Sequence, residues 1–187
     1  SCGMQKAGIE TICAVEIDKS IANSYKHNHP NTKVIVDDIK NVDNATFFSA
    51  GQADIIIGGS PCQGFSMAGA RIRESFVDDS RNYLFKHYLN IVRLVKPKIF
   101  VFENVKGIIS LDNGAIFTQI KQAFKSAGYH LQYLVAKMSD LGIPQRRERV
   151  IVIGSVFEFS LQNEWDKTKK ELSNKHKNFF DLISVQD

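Results

Sequence analysis

The feature that most constrains this chain is an alternation of short apolar, β-branched runs with segments of helical spacing. The runs are TICAVEI at 11–17, KVIV at 33–36, III at 55–57, KIFVF at 98–102, a β-rich stretch over 129–138, and RVIVI at 149–153. Between the first two, residues 18–27 set Ile21, Ala22 and Tyr25 at helical spacing behind Asp18, a candidate N-cap. A further helix is predicted around 44–50. Residues 82–94 bring Tyr83, Leu84, His87, Tyr88, Ile91 and Leu94 mostly onto one face, ended by Lys96-Pro97. Residues 116–124 repeat the pattern, and Gly128 closes it. Apolar strands joined through helices belong to sheets covered on both faces, so the predicted architecture is α/β, a doubly wound and mostly parallel sheet.

In such sheets ligands sit at the carboxyl ends of the strands. This chain puts polar or reactive groups there: Glu16 and Asp18, Asp37 and Asp38, Cys62, then Glu103 and Asn104. Asp18 and Asp37 also suit helix capping, whereas Glu is a poor cap, so Glu16 and Glu103 call for another explanation. The stretch DIIIGGSPCQGFS at 54–66 reads as a strand that delivers one thiol to a loop. Gly58 and Gly59 permit a sharp turn or a close approach, and Pro61 restricts the backbone ahead of Cys62. A polar loop over 64–80 follows, and loops of that length usually serve a function.

Composition narrows the class without deciding it. At 187 residues with 43% hydrophobic content, the chain is expected to be a soluble globular domain. No apolar run approaches the ~18 residues that span a bilayer, so a cytoplasmic protein without a membrane partner is expected. The cysteines Cys2, Cys13 and Cys62 are odd in number and lack CxxC spacing, which suggests neither a disulfide framework nor a metal site. A formal charge of +4 is compatible with a polyanionic partner and does not require one. Neither GxGxxG nor GxxxxGK[ST] occurs, so a nicotinamide dehydrogenase or a phosphate-loop enzyme has no support.

Three ordered motifs, PCQ at Pro61-Cys62-Gln63, ENV at Glu103-Asn104-Val105 and QRRER at Gln145 to Arg149, resemble those of the cytosine-C5 DNA methyltransferases, in the order and spacing of the bacterial modification methylases. AVEID at Ala14 to Asp18, DDI at Asp37 to Ile39 and the GxPQ turn at Gly142 to Gln145 extend the resemblance to about Ser155. The resemblance implies an S-adenosylmethionine-dependent, Rossmann-like methyltransferase fold. It implies methyl transfer to C5 of a flipped-out cytosine in duplex DNA, with S-adenosylhomocysteine as product. Cys62 would add to C6, Glu103, protonated or sharing a proton, would hydrogen-bond the ring at N3 and the exocyclic amine, and Arg149 would contact the O2 side. Arg147 would order the site or meet backbone phosphate. For the cofactor, the resemblance assigns Gly3 to the methionine part, Glu16 to the ribose hydroxyls, Ile17 and Ile39 to the adenine faces, Asp38 to its amino group and Pro61 to the wall near the sulfonium. Gln63, Ser66, Arg71, Arg73 and Arg81 would meet DNA.

The match also has departures. The family's first glycine motif is represented only by Ser1-Cys2-Gly3, and the interval to Gly8 is about one helical turn short, so either the protein diverges here or residues are omitted near 1–4, omission being the favoured expectation. The expected organisation is a catalytic domain over 1–156 and a charged, solvated connection over 157–187 toward an absent target-recognition domain. A monomer acting on double-stranded DNA in the bacterial nucleoid, with a cognate restriction endonuclease as a candidate partner, completes the implied picture. Two other readings stay open: a noncatalytic module that binds nucleic acid or cofactor, and an RNA cytosine-C5 methyltransferase.

Overall fold

The structure is a computed structural model, and it describes residues 1–42, 45–59 and 84–175, with side chains through 172. The chain divides into two compact units, Ser1–Ala53 with Lys86–Pro97, and Asp54–Phe85 with Lys98–Asp187.

In the first unit, helix α1 (Cys2–Lys6) has its first turn closed by Gln5 N, which donates to Ser1 O at 2.9 Å. It ends on Gly8, whose φ of 78° lets Ile9 N reach back to Met4 O at 2.9 Å. Strand β1 (Cys13–Glu16), helix α2 (Lys19–Asn28) and strand β2 (Lys33–Val36) form the predicted βαβ unit. Its strands pair in parallel, from Cys13 with Lys33 to Glu16 with Val36. Asp18 caps α2 as expected, its carboxylate accepting from Ser20 N at 2.7 Å and Ile21 N at 2.9 Å.

The helix predicted around 44–50 is a correction. Helix α3 (Ile39–Val42) starts earlier, and residues 45–50 contain turn and coil. Asp38 sets that start: its Oδ1 accepts from Lys40 N at 3.0 Å, so the helix is nucleated directly after β2. Helix α4 (Leu84–Val95) buries Tyr88, Leu89, Ile91, Val92 and Val95, close to the predicted face. It stops where Lys96 takes a left-handed φ of 52° before Pro97.

The second unit is built on a four-stranded sheet in the order β3 (Ile55–Gly58), β4 (Ile99–Val105), β6 (Glu148–Ser155), β5 (His130–Lys137). Only β3 and β4 are parallel; β6 runs antiparallel to both β4 and β5. The class is α/β as predicted, but this sheet is mixed. Antiparallel pairing also lengthens β4: Glu103, Asn104 and Val105 pair with Ile151, Val150 and Arg149, so ENV lies inside the strand rather than beyond its end. Periodicity does not show this, because a polar residue at a strand end and one held by a neighbour's ladder look alike in sequence.

Alternation along β4 turns Phe100, Phe102 and Asn104 to the buried face and Ile99, Val101, Glu103 and Val105 to the other. Helix α5 (Ala115–Lys125) covers the buried face with Phe117, Ile120 and Phe124. Phe100 is fully buried, its ring 4.3 Å from Phe124 and 5.0 Å, edge-on, from Tyr129. Opposite Phe100 on β6 stands Gly154. A methyl there would overlap the Phe100 ring, so the bare backbone is what lets the ring lie on the sheet.

The stretch after 157, expected as a solvated connection, contains helix α6 (Leu161–Lys175). Its half-buried residues Leu161, Trp165, Lys169 and Leu172 recur at helical spacing. Gln132 of β5 anchors its start, accepting from Leu161 N at 2.7 Å and donating to Phe159 O. Charge density conceals this stripe in the sequence. Among the described residues, no helix is long and apolar enough to cross a membrane.

Candidate active site

Each unit carries part of the predicted constellation. In the first, the backbone ties the ends of β1 and β2 together, with Asp37 N donating to Glu16 O at 3.2 Å. The Glu16 side chain turns back over its own strand end, where Oε1 accepts from Asp18 N at 2.9 Å. Between those two residues Ile17 is 67% exposed, a large apolar side chain left without cover at a strand end. Ile39 is half-buried at the start of α3.

The two aspartates divide their work differently from expectation. Asp37 Oδ1 accepts from Asp38 N at 2.7 Å and from Asn41 Nδ2 at 2.8 Å, which braces the turn. Asp38 is the cap of α3, and its Oδ2 stands 3.9 Å from Lys40 Nζ. Capping therefore falls on Asp38 as well as on Asp18. Gly3 lies within α1, and among the described residues no atom outside the helix backbone is within 4 Å of a Cβ placed there.

The second unit holds the carboxylate and the arginine. Glu103 and Arg149 are diagonal neighbours on the same face of β4 and β6, because Arg149 pairs with Val105 and Glu103 is two residues away along the strand. Their side chains meet, Arg149 Nε donating to Glu103 Oε1 at 2.9 Å. Arg149 Nη1 donates to the carbonyl of Glu148 at 2.7 Å, so two of its nitrogens are held. The pair is only partly covered, with 21% of the Arg149 side chain and 37% of that of Glu103 exposed, which leaves it accessible to a ligand.

The other carboxylate oxygen of Glu103 faces the chain leaving β3. A Cβ at Gly59 would lie 2.9 Å from Glu103 Oε2. Neither Gly58 nor Gly59 has a positive φ, so the turn expected of them is not their use here; at Gly59 it is space. Asn104, 2% exposed, folds its Oδ1 onto Val105 N at 2.9 Å. This buried amide keeps the end of the strand polar on the side where no solvent reaches.

Arg147 and Arg146 are exposed at the approach to β6, and the Arg147 carbonyl accepts from Met138 N at 2.9 Å. Glu148, which no motif singles out for a role, pairs with Lys106 at 3.0 Å across the ends of β4 and β6. Its signal is present as opposite charges in ENVKG and QRRER, but only the antiparallel register makes them neighbours. Pro61, Cys62, Gln63, Ser66, Arg71, Arg73 and Arg81 lie outside the described residues, as does Tyr83 of the predicted helix face.

The model of the C-5 cytosine-specific DNA methylase family matches residues 1–186. The chain belongs to that family. Among its relatives, the Type II methyltransferase M1.HphI of Haemophilus parahaemolyticus is 36% identical over 157 residues, covering 82% of this chain and 42% of that protein. The Type II methyltransferase M.AquIA of a Picosynechococcus strain is 40% identical over 166 residues, covering 82% of this chain and 66% of its own. The chain thus spans less than two thirds of the length of these relatives.

Solved structures agree on the fold. An E. coli prophage protein described as a DNA modification methyltransferase superposes with a TM-score of 0.69 at 31% identity, over 86% of this chain and 45% of that one. The S. pombe Dnmt2 methyltransferase has the same fold at 20% identity, with a TM-score of 0.68 over 90% of this chain and 50% of its own. This family is the S-adenosylmethionine-dependent, Rossmann-like class that the sequence motifs imply.

Proposed function

We propose that the protein containing this chain transfers a methyl group from S-adenosylmethionine to C5 of a cytosine in duplex DNA, through a covalent bond between Cys62 and C6. The observation that carries this reading is the Glu103–Arg149 pair at 2.9 Å on adjoining strands, with Gly59 against the same carboxylate. Gly59 is three residues before Cys62 in the sequence, a chain span of at most about 11 Å, which supports the reading that the thiol acts on a base held by this carboxylate.

The chemistry needs each group. Cytosine C5 is a weak nucleophile. Addition of the Cys62 thiolate to C6 moves the ring's electron pair onto C5, which makes C5 able to accept a methyl group. Once C5 holds the methyl group, with S-adenosylhomocysteine as the leaving product, transfer of the C5 proton to a base or water re-forms the 5,6 double bond and breaks the C6–S bond, which releases the Cys62 thiolate. Glu103, protonated or sharing a proton, donates to N3 and accepts from the exocyclic amine, which opposes the negative charge that develops on the ring and selects cytosine. Arg149 holds Glu103 in place and meets the O2 side of the ring. Arg147, exposed two residues before it, contacts phosphate, and a target inside a duplex has to be flipped out to reach these groups. Gln63, Ser66, Arg71, Arg73 and Arg81 meet the DNA around it.

The ends of β1 and β2 fit an adenosyl group: Ile17 is uncovered there, and the carboxylates of Glu16 and Asp38 follow the same two strands. Glu16 would hold the ribose hydroxyls, Ile17 and Ile39 the adenine faces, and Asp38 its amino group, with Gly3 and Pro61 toward the methionine part. When bound, the cofactor supplies an electrophilic methyl group. We further propose action as a monomer in the bacterial nucleoid, with a cognate restriction endonuclease directed at the same site, and a connection from 157–187 toward a target-recognition domain.

Methyl transfer from labelled cofactor to duplex DNA by the full-length protein tests the reading, with Cys62→Ala beside it. Loss of transfer in the variant, and a covalent complex between the unaltered protein and DNA carrying 5-fluorocytosine, are expected. Equal transfer by both proteins would refute the assigned nucleophile, and preference for transfer RNA over duplex DNA would move the substrate to RNA.

A further inference from the structure

We propose that Gly59 is a positioning residue for Glu103, present because any side chain there would move the carboxylate off Arg149. The proposal rests on the reading of Glu103 as the group that binds the cytosine ring.

The geometry is specific. β3 and β4 pair in parallel up to Gly58 and Phe102, so the next residues along, Gly59 and Glu103, come level. A Cβ at Gly59 would stand 2.9 Å from Glu103 Oε2, while the next nearest atoms, Glu103 Cδ and the Glu103 carbonyl, are at 3.9 Å. Among the described residues the conflict is confined to one oxygen. The backbone of Gly59 lies outside the left-handed region, so alanine meets no conformational strain there.

Relief therefore comes from the flexible end of Glu103 rather than from the sheet. Restoring ordinary contact takes a shift of about half an ångström, comparable with the tolerance within which reacting constellations are held. The opposite oxygen, Oε1, is the one that accepts from Arg149 Nε at 2.9 Å, so the two ends of the carboxylate cannot both keep their places. Gly59 is exposed, and among the described residues no core side chain lies within 4 Å of a Cβ placed there, so Tm is measured beside the rate to separate an effect on Glu103 from one on folding.

The test compares Gly59→Ala and Gly59→Val with the unaltered full-length protein by single-turnover methyl transfer to duplex DNA, together with KM for the cofactor and thermal stability. The rate constant for transfer is expected to fall about 10-fold for alanine and about 100-fold for valine, with KM and Tm unchanged. In a Glu103→Asp background, where the carboxylate is one methylene shorter, adding Gly59→Ala is expected to cost less than about 3-fold. A crystal structure of Gly59→Ala is expected to show Glu103 Oε1 displaced from Arg149 Nε. Transfer rates within about 2-fold of the unaltered protein for both variants, or a carboxylate still bonded to Arg149 in the Gly59→Ala structure, would overturn the proposal. Glu103→Ala separates the two levels: full activity in that variant removes the role of Glu103 itself, whereas an inactive Glu103→Ala beside fully active Gly59 variants removes only the positioning role.

Discussion

Replacing Gly154 with alanine should destabilise the second unit by far more than one methyl group suggests. The added carbon would stand 2.8 Å from Phe100 Cδ1 and nearer still to Cε1 and Cζ, where ordinary contact needs about 3.5 Å or more. The ring has nowhere to go, since it is fully buried and bounded by Phe124 at 4.3 Å and Tyr129 at 5.0 Å. Either the ring or β6 has to shift by about an ångström or more. Overpacking of this kind costs about 1–3 kcal/mol, and a confined aromatic puts Gly154→Ala at the upper end, about 3 kcal/mol. For a chain of this size that lowers Tm by roughly 6–12 °C, measurable by circular dichroism. Phe100→Leu removes the conflict, so the double variant should be at least about 1 kcal/mol more stable than the sum of the single effects. A Tm for Gly154→Ala within about 2 °C of the unaltered protein, or strict additivity with Phe100→Leu, would refute this account of the packing. The consequence reaches the site, because β6 also carries Arg149 to its bond with Glu103.

Asp18→Ala removes two bonds to the first turn of α2 and should cost about 1 kcal/mol in a denaturant titration, with Asp18→Asn recovering most of it. Lys106→Ala breaks an ion pair that is largely exposed, so its effect on stability should stay below about 1 kcal/mol, checked by the same titration. Burial raises the pKa of the Cys13 thiol, an effect that Lys33 only partly opposes. Less thiolate is therefore present at neutral pH, and peptide-resolved mass spectrometry should find Cys13 alkylated more slowly than exposed Cys2, with its rate still climbing above the pH where an ordinary thiol levels off.

Much of this protein is legible as a string of residues. Periodicity marks α2, α4 and α5 and all six strands, because burial of one helix face or of both strand faces leaves a pattern within about ten residues. Asp18 announces its cap for the same reason: the bond it makes reaches only three residues along. Helix α6 stays hidden because its stripe of four half-buried positions includes a lysine among many charges, and its anchor, Gln132, lies far away in sequence. The division of labour between Asp37 and Asp38 is equally hidden, since either aspartate suits the cap of a following helix.

Sequence by itself determined the family and the residue types available for chemistry: a thiol after Pro61, a carboxylate in ENV and arginines in QRRER. Only the tertiary structure decided which of the described groups meet. Antiparallel insertion of β6 beside β4 brings Arg149 within 2.9 Å of Glu103, and the parallel register of β3 sets Gly59 against the other oxygen of the same carboxylate. Contacts between residues dozens of positions apart depend on strand order and register, and those follow from how the whole sheet buries its apolar face rather than from any local pattern.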